Sequence, residues 1–133
     1  MSYLAKPTMS DGFDAAPVSV VRLLVAADAD TREALRSGLH RGFEITEAAT
    51  IADALSLVRA RWFGAVVVDY ELEGESGLPV LERLVEESPH THRILISRRA
   101  VPHLRDLLDD GIVELFLAKP IDADEFSSFF RAT

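Results

Sequence analysis

The chain of 133 residues contains no cysteine. Disulfides, thiolate nucleophiles and cysteine-ligated zinc are therefore excluded, and a reducing compartment is allowed. Long apolar runs are missing too: none approaches the ~20 residues that span a bilayer. Near the N-terminus a lone Lys6 stands without the apolar stretch of a signal peptide. These absences make a soluble, cytoplasmic protein without membrane contact the expectation. Basic residues are few, 14 Lys and Arg against 22 Asp and Glu, for a net charge of −8. Such a field repels nucleic acid, so direct DNA binding is not expected.

What is present fits one compact domain, which at this size buries about two thirds of its unfolded surface. Residues 1–20 mix Pro, Gly, Ser and Asp without periodicity and are read as a flexible leader, with the domain over 21–133. From Val21 onward, short apolar runs (RLLVA, FEITEA, AVVVD, RILIS, ELFLA) alternate with helical patterns. That alternation is the α/β signature, and AVVVD and RILIS, apolar on both faces, call for a parallel sheet covered on both sides. Asp30 with Glu33 and Asp122 with Glu125 have capping-box spacing, and Gly42 and Gly111 stand where helices end. Ile51, Leu55, Val58 and Trp62 recur at helical spacing as one apolar stripe, which assigns Trp62 to the core.

In a parallel sheet the C-terminal strand ends share one edge, where ligands bind. Four strands place distinctive residues there: Asp28 after the first, Asp69 after AVVV, Ser97 after RILI, and Lys119 before Pro120. Singly, each is an ordinary turn residue. Together, an acid, a hydroxyl and an ammonium form a phosphate-handling set.

Over residues 22–131 these motifs resemble the response-regulator receiver domain, the phosphoacceptor module of two-component signalling. They are VVVD ending at Asp69, Gly77 eight residues later, RILIS ending at Ser97, and LAKP with Lys119 and Pro120. The resemblance implies a three-layer (βα)5, flavodoxin-like fold with strand order 2-1-3-4-5 and a cis Lys119–Pro120 bond. It implies that Asp69 is phosphorylated by a histidine kinase or phosphotransfer protein, that Ser97 is the switch hydroxyl, and that Lys119 contacts the phosphoryl oxygens. Phe116 holds the place of the switch aromatic. Partners implied are an effector or output domain, and a homodimer through the face of the last helix; Phe126, Phe129 and Phe130 recur there at helical spacing and are expected to pack that helix on the sheet, the alternative being that some of them contribute to the partner face. No enzymatic turnover is expected.

The chain departs from the family at the end of the first strand, where Ala26 and Ala27 replace the acid pair that holds Mg²⁺. Asp28 comes one residue late, so on an extended strand its side chain points away from Ala27's direction, and only a bend brings it in. Asp69, Asp28 and Glu71 are then a thin ligand set for a hard cation, and Mg²⁺ binding is expected to be weak or absent. A second departure follows Ser97: Arg98 stands where the family keeps Ala or Gly, with Arg99 after it, and the guanidinium either fills the room for phosphate and competes for Asp69 or reaches solvent at a helix start. Three readings therefore stand side by side. They are a receiver impaired in Mg²⁺-dependent phosphorylation, a phosphorylation-independent interaction module, and a flavodoxin-like cofactor binder or enzyme. The last needs a phosphate-cradling loop that AADADT, without glycine, does not supply. His90 and His92 precede the fourth sheet strand and are expected at the opposite edge as a solvated pair.

Overall fold

The computed structural model describes residues 20–39 and 41–131. The leader lies outside the described residues apart from Val20. The chain runs β1 (Val21–Ala26), α1 (Ala29–Gly38), β2 (Phe43–Ala48), α2 (Ile51–Ala60), β3 (Ala65–Asp69), β4 (Glu71–Leu72), β5 (Glu75–Ser76), α3 (Leu78–Glu87), β6 (His92–Ser97), α4 (Leu104–Asp109), β7 (Leu115–Ala118) and α5 (Ala123–Arg131). Five strands form one sheet in the order β2-β1-β3-β6-β7. All four pairings are parallel. Counting the sheet strands alone, this is the expected order 2-1-3-4-5. The antiparallel pair β4-β5 is an addition that the apolar runs do not announce.

Neighbouring strand residues point to opposite faces, and the core divides accordingly. Leu24, Ala26, Val66, Val68 and Leu95 meet Ile51, Ala54, Val80, Leu81 and Leu84 of α2 and α3. Leu23, Val25, Ala27, Val67, Ile94 and Ile96 meet Leu35 of α1 and Phe126 of α5. β3 is buried at every position, as a central parallel strand covered on both sides must be. The buried Arg93 of β6 is satisfied by carbonyl oxygens of Pro89, Thr91 and Gly111, at 2.9–3.0 Å.

Local chemistry corrects several sequence expectations. The N-cap of α1 is Asp28, whose carboxylate accepts from the Thr31 N–H, so Asp30 lies inside the first turn and is no capping-box residue. At α5, Asp122 Oδ1 does accept from the N–H groups of Asp124 and Glu125. Gly111, at φ 79°, follows α4 as expected, but α1 already ends at Gly38, with Leu39 as its extended C-cap, and Gly42 serves the turn into β2 instead. Trp62 is 57% exposed and not core. Its helix stops at Ala60, and the extended backbone of Arg61 breaks the stripe one turn early. His92 opens β6 at the opposite edge, but it is no solvated partner of His90: its Nδ1 lies 3.1 Å from Glu114 Oε1, and its ring stands edge-on to Phe129 and Phe130.

Candidate functional site

Strands β1, β3, β6 and β7 deliver their C-terminal ends to one edge, and Asp28, Asp69, Ser97 and Lys119 follow or end them. Asp69 closes β3 and is 3% exposed. Lys119 follows β7, and the bond to Pro120 is cis. With its side chain 4% exposed, its ammonium donates to Asp69 Oδ1 at 2.8 Å and to Asp28 Oδ2 at 2.7 Å. The other Asp69 oxygen, Oδ2, accepts from the backbone N–H of Asp28 at 3.0 Å.

Asp28 does reach the site, and capping is the reason. Leaving the strand to start α1, it accepts from the Thr31 N–H on Oδ1 and leaves Oδ2 facing Lys119. A helix start therefore supplies the bend that a continued strand lacks. Ala26 and Ala27, both fully buried, fill the two faces of the sheet just below. Glu71 goes elsewhere: it pairs with Arg99 across the mouth of the site. Among the described residues no three acidic or histidine side chains form a metal-holding group, so Asp28, Asp69 and Glu71 do not converge as one.

Ser97 is buried at its strand end, but its hydroxyl donates to the Arg99 carbonyl oxygen at 2.8 Å and accepts from the Arg99 N–H at 3.1 Å. It is spent on its own loop. Phe116 on β7 is partly buried against the α2–α3 side of the core. Gly77, just before α3, has a reason in the geometry. A Cβ there would stand 2.1 Å from the Asp69 carbonyl oxygen and 2.8 Å from Val68 Cγ2. Only glycine lets the β4–β5 excursion return so close to the end of β3.

Arg98, which the sequence leaves between pocket and solvent, reaches Asp28 Oδ2 at 3.5 Å while its side chain stays 59% exposed. The result is a polar cavity of about 130 Å³ lined by Asp28, Asp69, Tyr70, Glu71, Ser97, Arg98, Arg99 and Lys119. Burial pushes the Asp69 carboxyl up from its ordinary value, more than the Lys119 ammonium and the Asp28 N–H pull it down. Burial also acts on Asp28, but there the bonds from Lys119 and Thr31 win and hold the carboxyl well below the carboxylate range. Two acids sharing one lysine are thus set apart, one a stable anion and the other closer to taking a proton.

A five-stranded parallel sheet in the order 2-1-3-4-5, with an acid, a hydroxyl and a lysine on its C-terminal edge, defines a doubly wound class of α/β domain. Residues 23–131 match the response regulator receiver domain, and the chain belongs to that family. It is a receiver domain of two-component signalling, which sets aside the cofactor-binder reading; such domains generally bind Mg²⁺ for phosphorylation and work with histidine kinases and output domains. The chain is 31% identical over 117 residues to the transcriptional regulatory protein TcrA of Mycobacterium tuberculosis (strain ATCC 25618 / H37Rv), covering 86% of this chain and 46% of TcrA. Over 103 residues it is 29% identical to the C4-dicarboxylate transport transcriptional regulatory protein DctD of Rhizobium meliloti (strain 1021), covering 76% of this chain and 22% of DctD. It thus spans less than half of either relative. The signal receiver domain of the response regulator NarL from Mycobacterium tuberculosis superposes with a TM-score of 0.73 at 24% identity, covering 86% of this chain and 95% of that one. No helix among the described residues is long and apolar enough to cross a membrane.

Proposed function

We propose that the domain is a phosphoacceptor in which Asp69 takes a phosphoryl group slowly, with little help from a divalent ion. The observation that carries the reading is Asp69 at the floor of a polar cavity, with the buried Lys119 ammonium 2.8 Å from its Oδ1. An Asp69 oxygen attacks phosphorus; the O–P bond forms as the donor's P–N or P–O bond breaks, and the leaving group departs with a proton from solvent. Lys119 offsets the charge that builds on the phosphoryl oxygens. Ser97 completes the switch once its hydroxyl leaves the Arg99 backbone, and Phe116 follows.

The donor set does not fit Mg²⁺. An octahedral ion asks for several oxygens free to face it. Here one oxygen of Asp28 caps α1, its other holds Lys119, and both oxygens of Asp69 are bonded. In this reading a histidine kinase or phosphotransfer protein supplies the phosphoryl group, and an effector or output domain reads it. A homodimer forms through the α5 face, and the domain itself catalyses no turnover, meets no nucleic acid or membrane and works in the cytoplasm.

The second reading is an interaction module that works without phosphorylation. The Arg99–Glu71 pair across the mouth of the cavity favours it. To choose, the domain is incubated with acetyl phosphate and Mg²⁺ beside its Ala26→Asp, Ala27→Asp double variant, and both are weighed intact. The first reading expects a slow phosphoryl gain in the native chain and a faster one in the variant. No gain in the native chain at any time selects the second reading, and equally fast gain in both refutes the impairment.

A further inference from the structure

We propose that Arg98 stands in for the divalent ion, so that the oxyanion on Asp69 is held by two side-chain cations, Lys119 and Arg98, without metal. This rests on the phosphoacceptor reading but adds a residue and a charge source to it.

The charges come first. Lining the cavity, three carboxylates (Asp28, Asp69 and Glu71) are matched by three side-chain cations (Lys119, Arg98 and Arg99). The site is neutral without an ion, and a divalent cation entering it would face Lys119 and Arg98 as like charges. A site with two further acids in place of Ala26 and Ala27 would need that ion; this one does not.

Placement is the second ground. Asp28 Oδ2 holds Lys119 at 2.7 Å and Arg98 at 3.5 Å. Lys119 in turn bridges to Asp69 Oδ1 at 2.8 Å. Asp28 therefore works as a tether that keeps the guanidinium one carboxylate away from the acceptor.

The third ground is the difference between the two states. With side-chain exposures of 59% and 38%, the Arg98–Asp28 pair is solvated and loosely held. A phosphoryl group on Asp69 replaces one negative charge by nearly two and offers oxygens in the geometry a guanidinium grips with two N–H groups. Arg98 thus gains more from the phosphorylated site than it gives up at Asp28, and an interaction stronger after transfer than before it assists transfer. Arg22 is the control: it is equally cationic, but it stands at the start of β1, at the far end of the sheet, where it pairs with Glu44.

The test uses phosphoramidate, whose P–N bond breaks with release of ammonia as the Asp69 O–P bond forms. Intact mass is followed in EDTA and in Mg²⁺ for the native chain, Arg98→Ala, Arg98→Lys and Arg22→Ala. The native rate should be the same in both buffers within about twofold, whereas Arg98→Ala should lose about tenfold or more in EDTA. Arg98→Lys should fall between, because a point charge replaces a fork, and Arg22→Ala should follow the native chain. In parallel, Mg²⁺ is titrated against the Asp28 amide NMR shift. Arg98→Ala should bind Mg²⁺ roughly tenfold tighter than the native chain, since a repelling charge beside Asp28 is gone.

A native reaction that requires Mg²⁺ overturns the proposal, and so does an Arg98→Ala protein with both native rate and native Mg²⁺ affinity. If no protein is modified in either buffer, the phosphoacceptor reading fails, and the titration still decides the role of Arg98. A tighter Mg²⁺ site in Arg98→Ala then supports it, and unchanged affinity overturns it.

Discussion

Lys119 is the only cation within hydrogen-bond distance of Asp69 among the described residues, and its side chain is buried between two acids. Its loss would leave Asp69 charged and unpaired in the interior. Lys119→Met should therefore cost about 3 kcal/mol near neutral pH. Asp69 already sits above its ordinary 3.8, and without the ammonium it rises further. The deficit of Lys119→Met should accordingly shrink as the pH falls and Asp69 takes up a proton; urea midpoints across the acid range measure it. Asp28 has the opposite sign. Its carboxyl is held below 3.8, so its contribution is complete above that pH and is lost as the pH falls through the lower folded-state value. Asp28→Asn keeps an N-cap acceptor but should flatten that acid limb. Asp69, Ser97 and Lys119 are legible in the sequence because each ends or follows an apolar run. The part played by Asp28 is not, since it depends on where a helix starts.

At the level of elements, the helices and the five sheet strands can be read from period and apolarity, but the two-residue strands β4 and β5 cannot. Their turn, with φ 52° at Glu73 and 80° at Gly74, is a tight hairpin without the usual Asn-Gly or Asp-Gly signal. The hairpin returns at Gly77, where the backbone of β3 leaves no room for a side chain. Gly77→Ala should destabilise by roughly 2 kcal/mol through overpacking and should displace Asp69, visible as a shift of the Asp28 amide that donates to it. At the far side, α5 is anchored by Phe126, fully buried and with its ring tilted against that of Phe130 at 5.3 Å. Phe126→Ala should cost about 3–5 kcal/mol in urea unfolding. Trp62 fell outside the stripe for an equally local reason: periodicity is blind to the residue at which a helix stops.

For the whole molecule, an acidic chain of net charge −8 places the buried Lys119 ammonium where it can neutralise an acceptor. Ala26 and Ala27 belong to that design, since they are core residues, one on each face of the sheet. Replacing both by Asp should raise Mg²⁺ affinity while lowering stability by about 3 kcal/mol, because carboxylates would enter sites that exclude water. Trp62 precedes β3 and Asp69 ends it, so tryptophan fluorescence is a poor reporter of these events and the Asp28 amide is the better one. The central claim is that Asp69 accepts a phosphoryl group without depending on a divalent ion. The most direct test is peptide-resolved mass spectrometry of the chain and its Asp69→Asn variant after phosphoramidate treatment in EDTA and in Mg²⁺. The account predicts a phosphoryl group on Asp69 to a similar extent in both buffers and none in the variant, whereas a mark that appears only with Mg²⁺, or that survives Asp69→Asn, would contradict it.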